Sequence, residues 1–219
     1  MNTSAHALIL DTETTGTKDP HATEIAWLEI DTLLMPTGQH FNARFNPQKP
    51  IEYGASKVTG IYDEDVAECP PHTSFVMPQT TYLIGHHISY DLSVLKNAGV
   101  DISNIKPICT CILARKFFGE LPKFSLGALL THFYPDDRQT YEMHAHGAYF
   151  DVLFTHKVLM ALNERIEADD FETLFLNCLP KTMPFGKHKG KEFKDIPPDY
   201  KRWLARQDID IALKTALEC

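Results

Sequence analysis

The chain has 219 residues, 43% apolar and 23% charged, the proportions of a globular protein with one sizeable core, or a core domain and a small appendage. No apolar run approaches the roughly 18 residues of a membrane span, and the opening MNTSAHALILD lacks the basic flank and cleavage site of a leader, so a cytoplasmic protein is expected. A net charge of -8 excludes a polyanion binder that works through its whole surface, and five cysteines (Cys69, Cys109, Cys111, Cys178, Cys219) form neither a disulfide framework nor a paired zinc spacing, so they read as reduced thiols.

The first predicted element is the apolar segment from Ala7 to Leu10, a strand buried in a sheet, and it runs straight into Asp11 and Glu13. Residues two apart in a strand share a face, so the two carboxylates stand side by side. Like charges that close to a core need a proton or a cation, and a divalent metal satisfies both acids at once. The competing reading has both acids capping a solvated turn that leads to Gly16.

Two further strands are predicted at His21 to Asp31 and Gln39 to Pro47, joined by a turn at MPTG into an antiparallel meander. IEYGASKVTGIYDEDV mixes short helical and turn signals, and Thr80 to His87 reads as a fourth strand. A helix follows, capped by Ser89 and stopped at Gly99, with Asp91 in its first turn, where a carboxylate either serves the helix dipole or joins a metal site. Helical patterns occupy Thr110 to Phe118, Ser125 to Phe133 and, most clearly, Ala148 to Ile166. Just ahead of that last helix stands His146, with Asp151 five residues on. Strands first, with helices between and after, give an α/β domain.

The tail differs in character. From Lys181 to Arg206 there are eight basic residues against three acids. FGKHKGKEF is not a nucleotide-binding loop, because Gly186 and Gly190 enclose three residues and Lys191 is followed by Glu192. It reads as a basic turn whose Lys187, Lys189 and Lys191 contact nucleic acid, followed by a helix with Trp203 and Leu204 on its packing face. The expected organisation is residues 1–168 as the main domain, 169–182 as a linker and 183–219 as a small basic module.

Three stretches, DTETTG (Asp11 to Gly16), GHHISYD (Gly85 to Asp91) and HGAYFD (His146 to Asp151), resemble in order the three motifs of the DnaQ-like 3′-to-5′ exonucleases, in the DEDDh branch whose third motif carries histidine. GASKVTGIYDEDV and CTCILARKFF…FSLGALL extend the likeness over about the first 165 residues, and Met183 to Gln207 resembles the terminal module of the exonuclease X group of that family. Two departures stand out: His87 occupies a place where asparagine is common, and Thr59 one where histidine is common.

The resemblance implies a ribonuclease H-like fold, a mixed five-stranded sheet flanked by helices with a small C-terminal accessory module. It implies a metal-dependent 3′-to-5′ exonuclease that releases nucleoside 5′-monophosphates from DNA, single-stranded or at frayed duplex ends, in repair or end trimming. Two Mg²⁺ ions, with Mn²⁺ as a substitute, would flank the attacking and leaving oxygens. Asp11 would bridge both ions, Glu13 and Asp151 would complete one site, and Asp91 would hold the second through water. His146 fits the general base, imidazole being the side-chain type that accepts a proton from water near working pH. Thr14, Gly16 and His87 would contact substrate. A histidine-rich zinc site made of His146, His144, His86 and His87 is the alternative for these rings, though they lack a recognised ligand spacing. Other readings of the whole are an exoribonuclease of RNase T or oligoribonuclease type, and a non-catalytic nucleic-acid-binding module. The sequence leaves the sugar preference and oligomeric state open.

Overall fold

In a computed structural model, residues 6–207, 209 and 211–218 are described. The first five residues, read above for a leader, and Cys219, read as a thiol, lie outside them. Five strands form one mixed sheet: β1 (Ala7–Thr14), β2 (Ala22–Ile30), β3 (Pro36–Arg44), β4 (Tyr82–Gly85) and β5 (Lys106–Cys109), in the order β3-β2-β1-β4-β5. The β1-β2 and β2-β3 pairs are antiparallel, and β1-β4 and β4-β5 are parallel. The expected fold is therefore the observed one.

Strand character follows position. β1 is central, and its apolar run is buried on both faces with only Asp11 partly open. β3 is an edge strand, largely exposed and made of polar residues behind Pro36, which keeps its free edge from pairing. The β2-β3 connection comes earlier than MPTG. Oδ1 of Asp31 accepts from the N–H groups of Leu33 and Met35 and closes the turn there, so Pro36 to Gly38 already belong to β3. β5 had no clear signal, being four residues long and containing Pro107.

The helices are α1 (Tyr53–Thr59), α2 (Asp63–Val66), α3 (Ser89–Asn97), α4 (Thr110–Phe117), α5 (Leu126–Phe133), α6 (Arg138–His144), α7 (Ala148–Ile166), α8 (Phe171–Cys178), α9 (Pro198–Ala205) and α10 (Ile211–Glu218). α7 packs on β1 and β2 through Val152, Thr155, Val158, Leu159 and Leu162, a stripe at helical spacing. α3 starts at Ser89 itself, with Ile88 in the capping place and no side-chain cap.

Residues 169–182, expected as a linker, hold α8. Asp170 caps it by accepting the N–H of Thr173 at 2.7 Å, and Phe171, Leu174, Phe175 and Cys178 enter the main core beside β5. A second, smaller core gathers Met183, Phe193, Ile196, Leu204, Leu213, Ala216 and Leu217. Leu204 is buried as expected, but Trp203 is 53% exposed and meets the Tyr200 ring instead. α10 joins the cores, with Ile211 and Ala212 against the large one and Leu213, Ala216 and Leu217 in the small one.

Because Phe171 is 1% exposed, Phe171→Ala should cost about 3–5 kcal/mol, whereas removing the cap with Asp170→Ala should cost about 1 kcal/mol. Denaturant titration of both variants checks this; a Phe171 effect below that of the cap would make this stretch a mere connection after all.

Candidate active site

Strand alternation turns Asp11 and Glu13 to one face of the sheet and Thr12 to the other. Asp151, in the first turn of α7, reaches the first pair, and carboxylate oxygens of Asp11, Glu13 and Asp151 lie within 4.8 Å of one another. Thr12 donates to Oδ1 of Asp91 at 2.7 Å, which ties the first turn of α3 to β1. The motif acids from three remote stretches are thus brought to the end of one strand.

A fifth acid was missed by sequence reasoning. The β1-β2 register places Glu24 directly opposite Glu13. Like charges facing each other across strands repel. Glu24 is stabilised on its other side by the first N–H of α7, that of Ala148, at 3.0 Å. The signal was present in principle: an acid inside a largely apolar strand, at a position fixed once the hairpin register is known.

The electrostatics follow from crowding and burial, and among the described residues His146 alone opposes them by charge, at Asp151. Burial, then Asp91, Asp151, Glu13 and Glu24, hold the Asp11 carboxyl well above the usual carboxylate range. Burial, then Asp151, Glu24 and Asp91, push Glu13 up to about 9. Burial lifts Asp91 to about 7 despite the Thr12 hydrogen bond, and lifts Asp151 to about 6 despite the His146 N–H. Among the described residues no lysine or arginine pairs with these acids; the ion pairs lie elsewhere, as in Lys106–Glu172 and Arg165–Glu120.

Asp151 carries the most specific mark. Its Oδ2 accepts the N–H of His146 at 3.3 Å, while its Oδ1 is buried with no hydrogen-bond partner. A buried carboxylate oxygen without a donor is costly, and hard oxygen ligands in this number suit a divalent cation such as Mg²⁺. The residues present fit such an ion.

His146 sits in the turn before α7 with φ +67, exposed, its backbone tied to Asp151. His144 is not beside His86 and His87; its ring stacks on Phe150 at 4.1 Å. Thr14 bonds the Tyr90 hydroxyl at 2.6 Å, and that hydroxyl donates to the Gly16 carbonyl at 2.9 Å, so Tyr90 of α3 clamps the loop leaving β1. At Gly16, with φ +146, a Cβ would lie 2.4 Å from the Glu52 carboxyl carbon, so glycine lets that acid close in. Tyr90 and Glu52 were not singled out from sequence, since neither stands in a motif acid position. Lys187, Lys189 and Lys191 are exposed on the small core's turn, and none of their described contacts joins the acids.

A cleft of about 1120 Å³ runs between α3, β5, α8 and α10. Among the described residues its charged lining is Lys96, Arg115, Lys116, Lys181 and Lys214 with Asp101. Burial and then Lys181 depress the Lys116 ammonium.

A family model described as Exonuclease matches residues 8–159, and one described as a quorum-sensing-regulated virulence factor matches residues 171–210. The chain is 32% identical over 180 residues to the DNA polymerase III subunit epsilon of Rickettsia typhi, covering 73% of this chain and 74% of that one. Among solved structures it is similar to exonuclease X in complex with 5′ overhanging duplex DNA, at TM-score 0.62 and 21% identity over 77% of this chain and 99% of that one. It is also similar to the zinc-bound form of an Escherichia coli exonuclease I–single-stranded DNA complex, at TM-score 0.62 and 17% identity over 76% of this chain and 42% of that one. No helix among the described residues is long and apolar enough to cross a membrane.

The raised carboxyls make stability depend on pH in a definite sense. Protons bind more tightly to the folded state, so the stabilisation they give is complete below the unfolded carboxylate range and is lost as pH rises through the folded values, from about 6 for Asp151 to about 9 for Glu13. The metal-free protein should therefore melt at a falling temperature across that window, and Mg²⁺ should restore most at its alkaline end. Scanning calorimetry with chelator and with Mg²⁺ decides; a melting temperature flat across the window without metal would contradict it.

Proposed function

The chain belongs to the exonuclease family, a 3′-to-5′ exonuclease by that membership, and from this premise we propose that it hydrolyses DNA at Asp11, Glu13, Asp91 and Asp151 with His146 as general base. The observation that carries the reading is the buried, unpartnered Oδ1 of Asp151 among carboxylates raised by mutual repulsion. A donor set that is unfavourable when left alone suits occupation by divalent ions.

In the proposed site Asp11, Glu13, Asp91 and Asp151 would hold two Mg²⁺ ions, with Mn²⁺ as a substitute. Such ions supply charge neutralisation at the phosphate and an acidified water. His146 takes the water's proton at an imidazole nitrogen; its exposure leaves the ring free to swing over a bound 3′ end. The Thr12–Asp91 and Ala148–Glu24 hydrogen bonds keep two of the acids in place. Thr14 and Gly16, held by Tyr90, offer backbone and hydroxyl contacts to the terminal nucleotide, and His87 lines its approach.

DNA is preferred to RNA in this proposal because the relative of similar sequence is a DNA polymerase subunit and the similar solved structures hold DNA. The role proposed is end trimming or repair, with release of nucleoside 5′-monophosphates. The exposed Lys187, Lys189 and Lys191 of the proposed accessory module, residues 183–219, provide an electrostatic hold on the strand away from the acids.

Purified protein with Mg²⁺, given 5′-labelled single-stranded DNA beside RNA of the same sequence, should shorten the DNA from its 3′ end. Asp11→Ala should abolish the ladder, and His146→Ala should slow it roughly 10²- to 10⁴-fold while the Mg²⁺-induced rise in melting temperature persists. A ladder on RNA alone would overturn the substrate assignment, and an unchanged rate in His146→Ala would remove that residue from the chemistry. Separately, joint replacement of Lys187, Lys189 and Lys191 by Ala should weaken binding of long DNA and flatten its salt dependence while leaving dinucleotide hydrolysis alone. Equal loss on both substrates would contradict a tethering role.

A further inference from the structure

Outside the acid cluster the fold assembles a second set of ligand-type side chains, of different chemistry. His86 and His87, in the turn between β4 and α3, and Cys111, in the first turn of α4, bring one ligand atom each to within 4.8 Å of one another. These are two nitrogens and a sulfur, which select borderline and soft ions such as Zn²⁺, whereas the carboxylates select hard ones.

The His86 ring is already oriented as a metal ligand is. Its Nε2 lies 2.9 Å from the Phe124 carbonyl, and a carbonyl only accepts, so Nε2 carries the proton and Nδ1 the lone pair. That lone pair now accepts from the Thr110 hydroxyl at 2.9 Å. The hydroxyl has a second acceptor, the Gly85 carbonyl at 3.3 Å, to which it can turn when Nδ1 is needed elsewhere.

His87 supplies an independent observation. It is a non-glycine residue at φ +66, a strained backbone position that persists where surrounding structure or function holds it. Its exposed ring makes no hydrogen bond among the described residues and stands edge-on to His86, the ring centroids 5.0 Å apart. Cys111, 1% exposed and in no disulfide, closes the set from below.

We propose that His86, His87 and Cys111 form a three-ligand site for a Zn²⁺-class ion, with an open fourth position toward solvent on the His87 side. Bonds of about 2.0 Å to nitrogen and 2.3 Å to sulfur put tetrahedral ligand atoms roughly 3.5 Å apart, so the set closes by about 1 Å at its widest. Movement of the exposed His87 ring supplies that closure. The ion would pin the turn that leads into α3, four residues before Asp91.

Co²⁺ added to the full chain saturated with Mg²⁺ is the probe, because a thiolate–cobalt charge-transfer band reports sulfur ligation and the carboxylate cluster cannot produce it. The wild-type protein should show the band and lose it on addition of Zn²⁺. Cys111→Ser should abolish it, Cys69→Ser should retain it, and His87→Asn, a substitution suited to positive φ at an exposed position, should weaken Co²⁺ binding at least tenfold with the fold intact by circular dichroism. Absence of the band in the wild type, its survival in Cys111→Ser, or unchanged affinity in His87→Asn would overturn the site. None of these readouts depends on DNA hydrolysis.

Discussion

Five carboxylates meet where β1 ends, and among the described residues no lysine or arginine pairs with them, His146 alone lowering the Asp151 carboxyl. Burial and mutual repulsion act in the same direction on Asp11 and Glu13, so the protein keeps its acids together only by holding protons or by admitting a cation. Everything around the site can be understood as resisting the tendency of these charges to separate. The antiparallel register locks Glu24 across from Glu13, Thr12 fastens Asp91, and the packing of α7 on β1 and β2 sets Asp151 beside them. A sheet edge or surface loop would relax under such repulsion; a central strand, buried on both faces, cannot.

That placement explains why the sheet is mixed. The antiparallel side of β1 delivers a strand partner with its own acid, Glu24, in a fixed register. The parallel side delivers β4, whose end turns at once into α3 and so carries Asp91 to the same end of the sheet. At Gly85 a Cβ would lie 2.7 Å from the Ile88 side chain and 3.1 Å from the carbonyl of Leu10, the residue before Asp11, so glycine lets the β4 end turn tightly beside β1. One strand thereby receives contributions from both directions of chain travel.

Much of this was legible in the sequence, for identifiable reasons. The apolar run before Asp11, the period of two that pairs it with Glu13, and the long helical stripe of α7 are local signals strong enough to read directly. Motif order did the rest for Asp91, His146 and Asp151, each of which alone looks like an ordinary capping residue. What escaped was non-local. Glu24 acquires its place only through strand register, Tyr90 only because α3 folds back over Gly16, and Cys111 only because α4 begins beside the His86 turn. α8 escaped for a different reason: Asp170 and the apolar Phe171, Leu174 and Phe175 carry a fair helix signal, but the two prolines that follow, Pro180 and Pro184, give the stretch the look of a linker. Trp203 shows the converse error, because a large apolar residue is not bound to face inward when Leu204 already fills a small core.

The two helices that bring in remote acids share an entry device. α3 carries Asp91 and is preceded by His87 at φ +66; α7 carries Asp151 and is preceded by His146 at φ +67. Both are exposed histidines in a region of backbone space that β-carbon sterics disfavour. A left-handed residue reverses the chain within one step, so the ring is thrown outward while the following turn of helix runs inward with its carboxylate. The strain is therefore a geometric consequence of needing an acid inside and an imidazole outside within four or five residues. The rigid core behind α3 and α7 holds the acids, while the exposed His87 and His146 stand outside it in the strained turns ahead of each helix.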